Sequence, residues 1–334
     1  MGIRLKSLSW CIVPLLSIVS LAAPGSDLRL VDAVKSKDIE AVRSLLKQHV
    51  DVNTPQADGA TALAWAAHWN DLETADMLIR AGANVNAAND YGVTPLWEAC
   101  NNANAAMVEK LSKAGANPNA TLPATGETAL MVCANTGNAE AVKSLLGHGA
   151  DVSVKEKQKG QTALMWALEE AHPDVARLLM EHGADVRAKS KGGFTPLLFA
   201  ARVGDIGSAL VLLEAGADVN EAMPAPPAPE NPGDRAASFA PAPEAVSPGA
   251  MTPLLLASAS GQEALAIFLL EKGANPNARE QSGATALHYA VLKGITTLNG
   301  VVFANYVSHL YRPNMLELVK ARSEERRVGK ECRL

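Results

Sequence analysis

Gln161 to Ala188 reads QTALMWALEEAHPDVARLLMEHGADVRA. Thr162 suits a helix N-cap, where its hydroxyl accepts a backbone N–H. Leu164 follows two residues later, and Gly183-Ala184 comes 21 residues after the Thr. That Gly sits where a helix C-cap needs positive φ. The unit recurs. Thr-(Ala/Pro)-Leu triplets begin at Thr61, Thr94, Thr128, Thr162, Thr195, Thr252 and Thr285, in steps of 33, 34, 34, 33, 57 and 33. Gly-Ala follows the first six at a constant distance, at Gly82, Gly115, Gly149, Gly183, Gly216 and Gly273. Leu at Thr+17 (Leu78, Leu111, Leu145, Leu179, Leu212, Leu269) marks a second helix. Small pairs such as Ala66-Ala67 and Ala200-Ala201 let neighbouring first helices approach. Pro95, Pro196 and Pro253 follow their Thr at the first helical position, where the missing N–H costs nothing. A constant period near 33 means one small helical unit stacked repeatedly. Such arrays work as surfaces more than as pockets that carry chemistry.

The strings VTPLWEAC…AGANPNA from Val93, FTPLLFAARVGD…AGADVN from Phe194 and ATALHYA from Ala284 resemble the ankyrin repeat, over roughly Asp27 to Ala321. The resemblance implies an all-α solenoid of about eight helix-turn-helix units with short β-hairpin connections and a concave face. Residues 27–54 read as a degenerate N-terminal capping unit, and 55–222 and 251–321 as further repeats. Ser112 stands at Thr+18, where the other units have Ile79, Leu146, Met180, Leu213 and Leu270, so the core should be weaker there.

Both ends read differently. Arg4 and Lys6 precede a 12-residue apolar run, Trp10 to Leu21, and Ser20-Leu21-Ala22 offers small residues for cleavage. Residues 1–23 thus read as a secretory signal peptide, with an uncleaved anchor as the alternative. The run is short for a membrane span, and none is expected after cleavage. Residues 322–334 (RSEERRVGKECRL) resemble, up to Arg333, a one-frame translation of a common sequencing-library adapter. A charged C-terminal helix is the alternative. On the adapter reading the natural chain breaks off near Ala321, inside its last unit.

Without those ends, 23 basic residues face 32 acidic ones, a net of −9. That opposes nucleic-acid binding, which needs a positive footprint. Only Cys100 and Cys133 then remain, at small positions of first helices in adjacent units. Stacked helices about 10 Å apart would hold them too far apart to bridge. Two quiet buried thiols and no disulfide are expected.

Two insertions break the period. Residues 223–250 hold 8 prolines in 28 residues and should project as a disordered loop, either a linker or a Pro-rich ligand segment. Residues 295–314 carry Phe303, Tyr306 and Tyr311, to be packed on further units or turned to a partner.

No CxxC, CxxCH, HExxH, GxSxG or GxxxxGK[ST] occurs. The seven histidines have no paired ligand spacing on one helix, and His288 reads as structural. No catalytic group, metal or cofactor is expected. The resemblance places partner contacts at the hairpin tips and the ends of the first helices. Carried over by position, these are Tyr91, Val93, Glu127, Gln161 and Phe194 at the tips, and His68, Trp69, Asn101, Asn102, Asn135, Glu169, Glu170 and Arg202 at the helix ends. Trp69, Tyr91 and Phe194 should be exposed, while Trp65, Trp166, Phe199 and Tyr289 should pack inward. The chain reads as a monomeric, non-catalytic protein-binding module acting in the periplasm or outside the cell. The alternatives are a docking arm of a larger exported enzyme or c-type cytochrome, and a purely structural role at the cell surface.

Overall fold

The computed structural model describes residues 27–223, 251–280 and 283–291. The signal-peptide, proline-rich, aromatic and adapter readings therefore lie outside the described residues, save Met223. Among the described residues, fourteen helices of seven to nine residues form seven pairs: α1 (Arg29–Lys35) with α2 (Ile39–Lys47), α3 (Ala62–His68) with α4 (Leu72–Arg80), α5 (Pro95–Asn101) with α6 (Ala105–Lys113), and α7 (Ala129–Thr136) with α8 (Ala139–Gly147). Then come α9 (Ala163–Glu169) with α10 (Pro173–Glu181), α11 (Pro196–Val203) with α12 (Ile206–Glu214), and α13 (Pro253–Ser260) with α14 (Glu263–Glu271). Residues 286–291 are helical and open an eighth unit. First helices pack on first helices and second on second, so one continuous apolar core runs from Leu30 to Ala286. Helices this short are marginal alone in water; each depends on its neighbours.

Local chemistry sets the helix ends. Thr61, Thr94, Thr128, Thr162 and Thr252 each accept from the N–H three residues on, as the N-cap reading requires. Thr195 does not: its hydroxyl is buried with no partner, and Leu198 N–H donates to its carbonyl instead, at 3.0 Å. Thr285 contacts the His288 ring nitrogen (backbone N at 3.1 Å, hydroxyl at 2.8 Å), which gives that His the structural role expected of it. Second helices are capped by Asp38, Asp71, Asn104, Asn138 and Asp205. The six Gly-Ala glycines all have φ between 85° and 90°.

The connections carry no continuous β-ladder. Among the described residues there is no strand, only two isolated antiparallel bridges, Thr121 with Thr128 and Met223 with Met251. The second of these closes the base of the proline-rich insertion. The connections are instead tip loops shaped by side chains. Asn89, for instance, accepts from the N–H groups of Tyr91 and Val93 at 3.0 and 2.9 Å.

One expectation is overturned. Cys100 and Cys133 form a disulfide, with Cα atoms 4.6 Å apart. Cys100 stands at Thr+6 and Cys133 at Thr+5 of the next unit, and both are fully buried. Their neighbours Ala99 and Ala134 are equally buried and add only methyl groups. First helices therefore close to well within a helix diameter, and the separation expected from full-size side chains does not apply.

Three of the four aromatics expected to pack inward are more exposed than full burial would make them. Phe199 is core, at 3% exposure, but Trp65, Trp166 and Tyr289 are only partly buried. All four stand at Thr+4, and the three partly buried rings still pack against the core; Phe199 is further covered by Phe194, 5.6 Å away. Ser112 is buried with its hydroxyl unpartnered.

Candidate functional site

Two patches assemble from the ends of the first helices. In the first, the α3 turn stacks Trp65 on Trp69, with centroids 6.2 Å apart, and sets the His68 ring edge-on to both. The Trp65 indole N–H donates to the Gln56 Oε1 at 2.7 Å. Lys35 and Lys37 from the capping unit lie over the two indoles, 4.9 and 4.6 Å from the ring centroids. His68 Nδ1 is 3.2 Å from Glu98 Oε2 on α5. Trp69 is 41% exposed, and Tyr91, on the tip loop beyond, 67%. Such a rigid, partly wet aromatic cluster is the kind of surface that dominates interface energetics.

In the second patch, the Gln161 side-chain amide donates to Glu169 Oε2 at 3.3 Å, and Arg202 pairs with Glu169 Oε1 at 2.8 Å. The Arg202 guanidinium lies 5.7 and 5.1 Å from the rings of Phe194 and Phe199. This links units through side chains that were expected to face a partner.

The structure sorts the expected contact residues. His68, Trp69, Tyr91, Asn101 and Glu170 are exposed; Val93, Glu127, Asn135, Glu169 and Arg202 are half-buried. Phe194 is half-buried as well, against expectation, because Phe199 packs on it 5.6 Å away. Gln161 is not at the surface: it is 5% exposed, drawn in because its N–H donates to the buried Glu156 carboxylate at 2.9 Å. Asn102 donates to the His68 carbonyl at 2.8 Å, so it braces the stack. The Asn135 carbonyl is 3.0 Å from His172 Nε2, a similar brace. Lys35, Lys37, Gln56 and Glu98 were missed by position. Glu98 carried a signal: a charged residue at Thr+4 marks that position of its own unit as reaching solvent.

Burial raises the pKa of Glu127; a hydrogen bond with Thr125 partly offsets this, and the nearby Glu156 charge adds to it. Among the described residues no His, Cys, Asp or Glu cluster has the makings of a metal site. No helix there is long and apolar enough to cross a membrane.

An extended row of helix ends and tips, with packed rather than pocketed aromatics, defines a repeat scaffold for protein interaction. Family models described as ankyrin repeats match residues 30–122, 99–190, 130–223 and 251–297. The chain belongs to the ankyrin-repeat family. Among solved structures, 606 chains match. One is the ankyrin repeat domain of human ASB11, 27% identical, with a TM-score of 0.52, covering 58% of this chain and 86% of that one. No curated protein matches.

Proposed function

We propose that this chain is a non-catalytic module that acts outside the cytoplasm and holds a protein partner against its tips and first-helix ends. The Trp65–His68–Trp69 cluster with exposed Tyr91 carries the reading, since Trp65 anchors it to the core while Trp69 and Tyr91 offer aromatic area to a partner. The export reading rests on the leader-like residues 1–23, and the Cys100–Cys133 disulfide supports it, because such bonds persist in oxidising compartments. The excess of acidic residues favours a protein over a nucleic acid as partner.

Trp69→Ala combined with Tyr91→Ala should weaken partner capture about tenfold or more while leaving the melting temperature within a few degrees. Undiminished capture would remove this face from the binding role. Unfolding of the double variant would show that both rings are structural.

A further inference from the structure

We propose that the two tip loops at residues 151–161 and 185–194 form a cationic ridge that holds an acidic, extended segment of the protein partner. This rests on the binding-module reading and adds the chemistry of what is bound. Lys155, Lys157, Lys159, Arg187, Lys189 and Lys191 are all exposed on these consecutive tips. The preceding tips, residues 51–60, 84–93 and 117–127, hold no Lys or Arg, nor does the stretch 218–223 that follows. The cations are therefore concentrated in one place on a chain whose net charge is −5.

The ridge is organised and largely uncompensated. The two tips are joined by Lys191 N–H donating to the Lys159 carbonyl at 2.7 Å, and Lys157 N–H donates back to Thr125 at 2.6 Å. Three ammonium groups are held on neutral carbonyls of the neighbouring loop: Lys155 on Lys189 at 2.8 Å, Lys157 on Pro123 at 2.7 Å, and Lys191 on Lys157. Arg187 likewise reaches the Gly216 carbonyl at 3.4 Å. Against the six cations the two tips hold three carboxylates, Asp151, Glu156 and Asp185, and each is engaged by backbone N–H groups of its own tip: Asp151 by Ser153 and Asp185 by Arg187, both at 2.8 Å. Glu156 is 5% exposed, and its oxygens accept from the N–H groups of Gln158, Lys159 and Gln161 at 2.5, 2.7 and 2.9 Å. Of the six cations, only Lys189 has a carboxylate partner among the described residues, Glu221 at 3.5 Å. Four preordered positive charges that make no ion pair, in an excess of six cations over three carboxylates, are what an acidic strand would complete.

The ridge is also short. The two tips meet backbone to backbone, through the Lys191–Lys159 hydrogen bond, so a short extended segment, at about 3.3 Å per residue, would cover both. A nucleic acid would run on past both ends and meet acidic neighbours, Asp90 and Glu127 on one side and Asp218 and Glu221 on the other. Finite length between acidic flanks therefore selects a short acidic peptide segment.

The test uses the full chain and a fluorescein-labelled octapeptide of alternating Asp and Glu, read by fluorescence anisotropy at 50 and 300 mM salt. Binding is expected at low salt and should weaken at high salt. K155Q/K157Q/K159Q/K191Q should weaken it about tenfold or more, with the melting temperature measured alongside. Because three of these lysines also brace the tips, the all-arginine version K155R/K157R/K159R/K191R is the second variant, and it should retain binding. No binding at 50 mM salt, or an equal loss in K47Q/K113Q/K143Q/K272Q, would overturn the proposal. Tighter binding of a single-stranded DNA octamer with the same lysine dependence would overturn it in favour of a nucleic-acid ligand. If the peptide fails while capture through Trp69 and Tyr91 persists, only the ridge is lost. If the peptide binds and that capture is absent, it is the aromatic face that fails.

Discussion

Cys133 occupies a position that the other units fill with alanine, Cys100 one that three of them do (Ala67, Ala134, Ala201), and the covalent bond between them ties α5 to α7. Bridging residues 33 apart removes loop-closure entropy from the unfolded chain. For a loop of that size the stabilisation is about 3 to 4 kcal/mol on the chain-entropy account. Cys100→Ala with Cys133→Ala should lower the guanidinium midpoint accordingly, and adding reductant to the wild-type chain should reproduce most of the loss. Identical midpoints with and without reductant would show that the bond contributes nothing. Glu127 works in the opposite sense. Burial raises its folded pKa above the unfolded value, so the protonated form is favoured on folding and the charged form is penalised at higher pH. Glu127→Gln should therefore raise the melting temperature at pH 7, and the gain should fade as pH falls to about 4. A pH-independent gain would point to packing instead.

At the scale of the element, helices of seven to nine residues are held in register by a ladder of asparagines outside the helices. Asn53, Asn86, Asn119 and Asn220 each donate to the carbonyl of the next unit's Gly in Gly-Ala: Gly82, Gly115, Gly149 and Gly273. The same four accept from the N–H two residues beyond it, at Asn84, Asn117, Asp151 and Asn275, at 2.6 to 2.8 Å. Each side chain thus satisfies one orphan acceptor at a helix C-terminus and one donor in the turn. Ser153 and Arg187 stand at this register in the two units that carry the lysine tips, so the ladder is interrupted there. Asn119→Ala strands both partners and should cost about 1 to 3 kcal/mol, measured by chemical denaturation. Loss of protection at the Asp151 amide by hydrogen exchange would locate the effect; unchanged stability would show that water replaces the side chain fully.

At the scale of the whole molecule, the Thr, Leu and Gly register was enough to read the repeat, because each residue answers a local need: a cap, a core contact, a left-handed turn. What depended on distances between units was harder to read. The disulfide was hidden because helix spacing was taken from full-size helices, whereas Ala99 and Ala134 allow closer contact. Gln161 looked like a tip residue because the role of Asn89 had passed to Glu156, a change visible only once its three backbone bonds are seen. The lysine ridge vanished into the total charge. Trp69 and Tyr91, by contrast, were legible as exposed residues from register alone. The central claim is that protein partners meet the tips and first-helix ends. Site-specific photocrosslinking tests it most directly, with the reactive group placed in turn at positions 69 and 91 and, on the second-helix row, at 143. The account predicts a discrete protein adduct from 69 and 91 and none from 143. Adducts from 143 alone would contradict it.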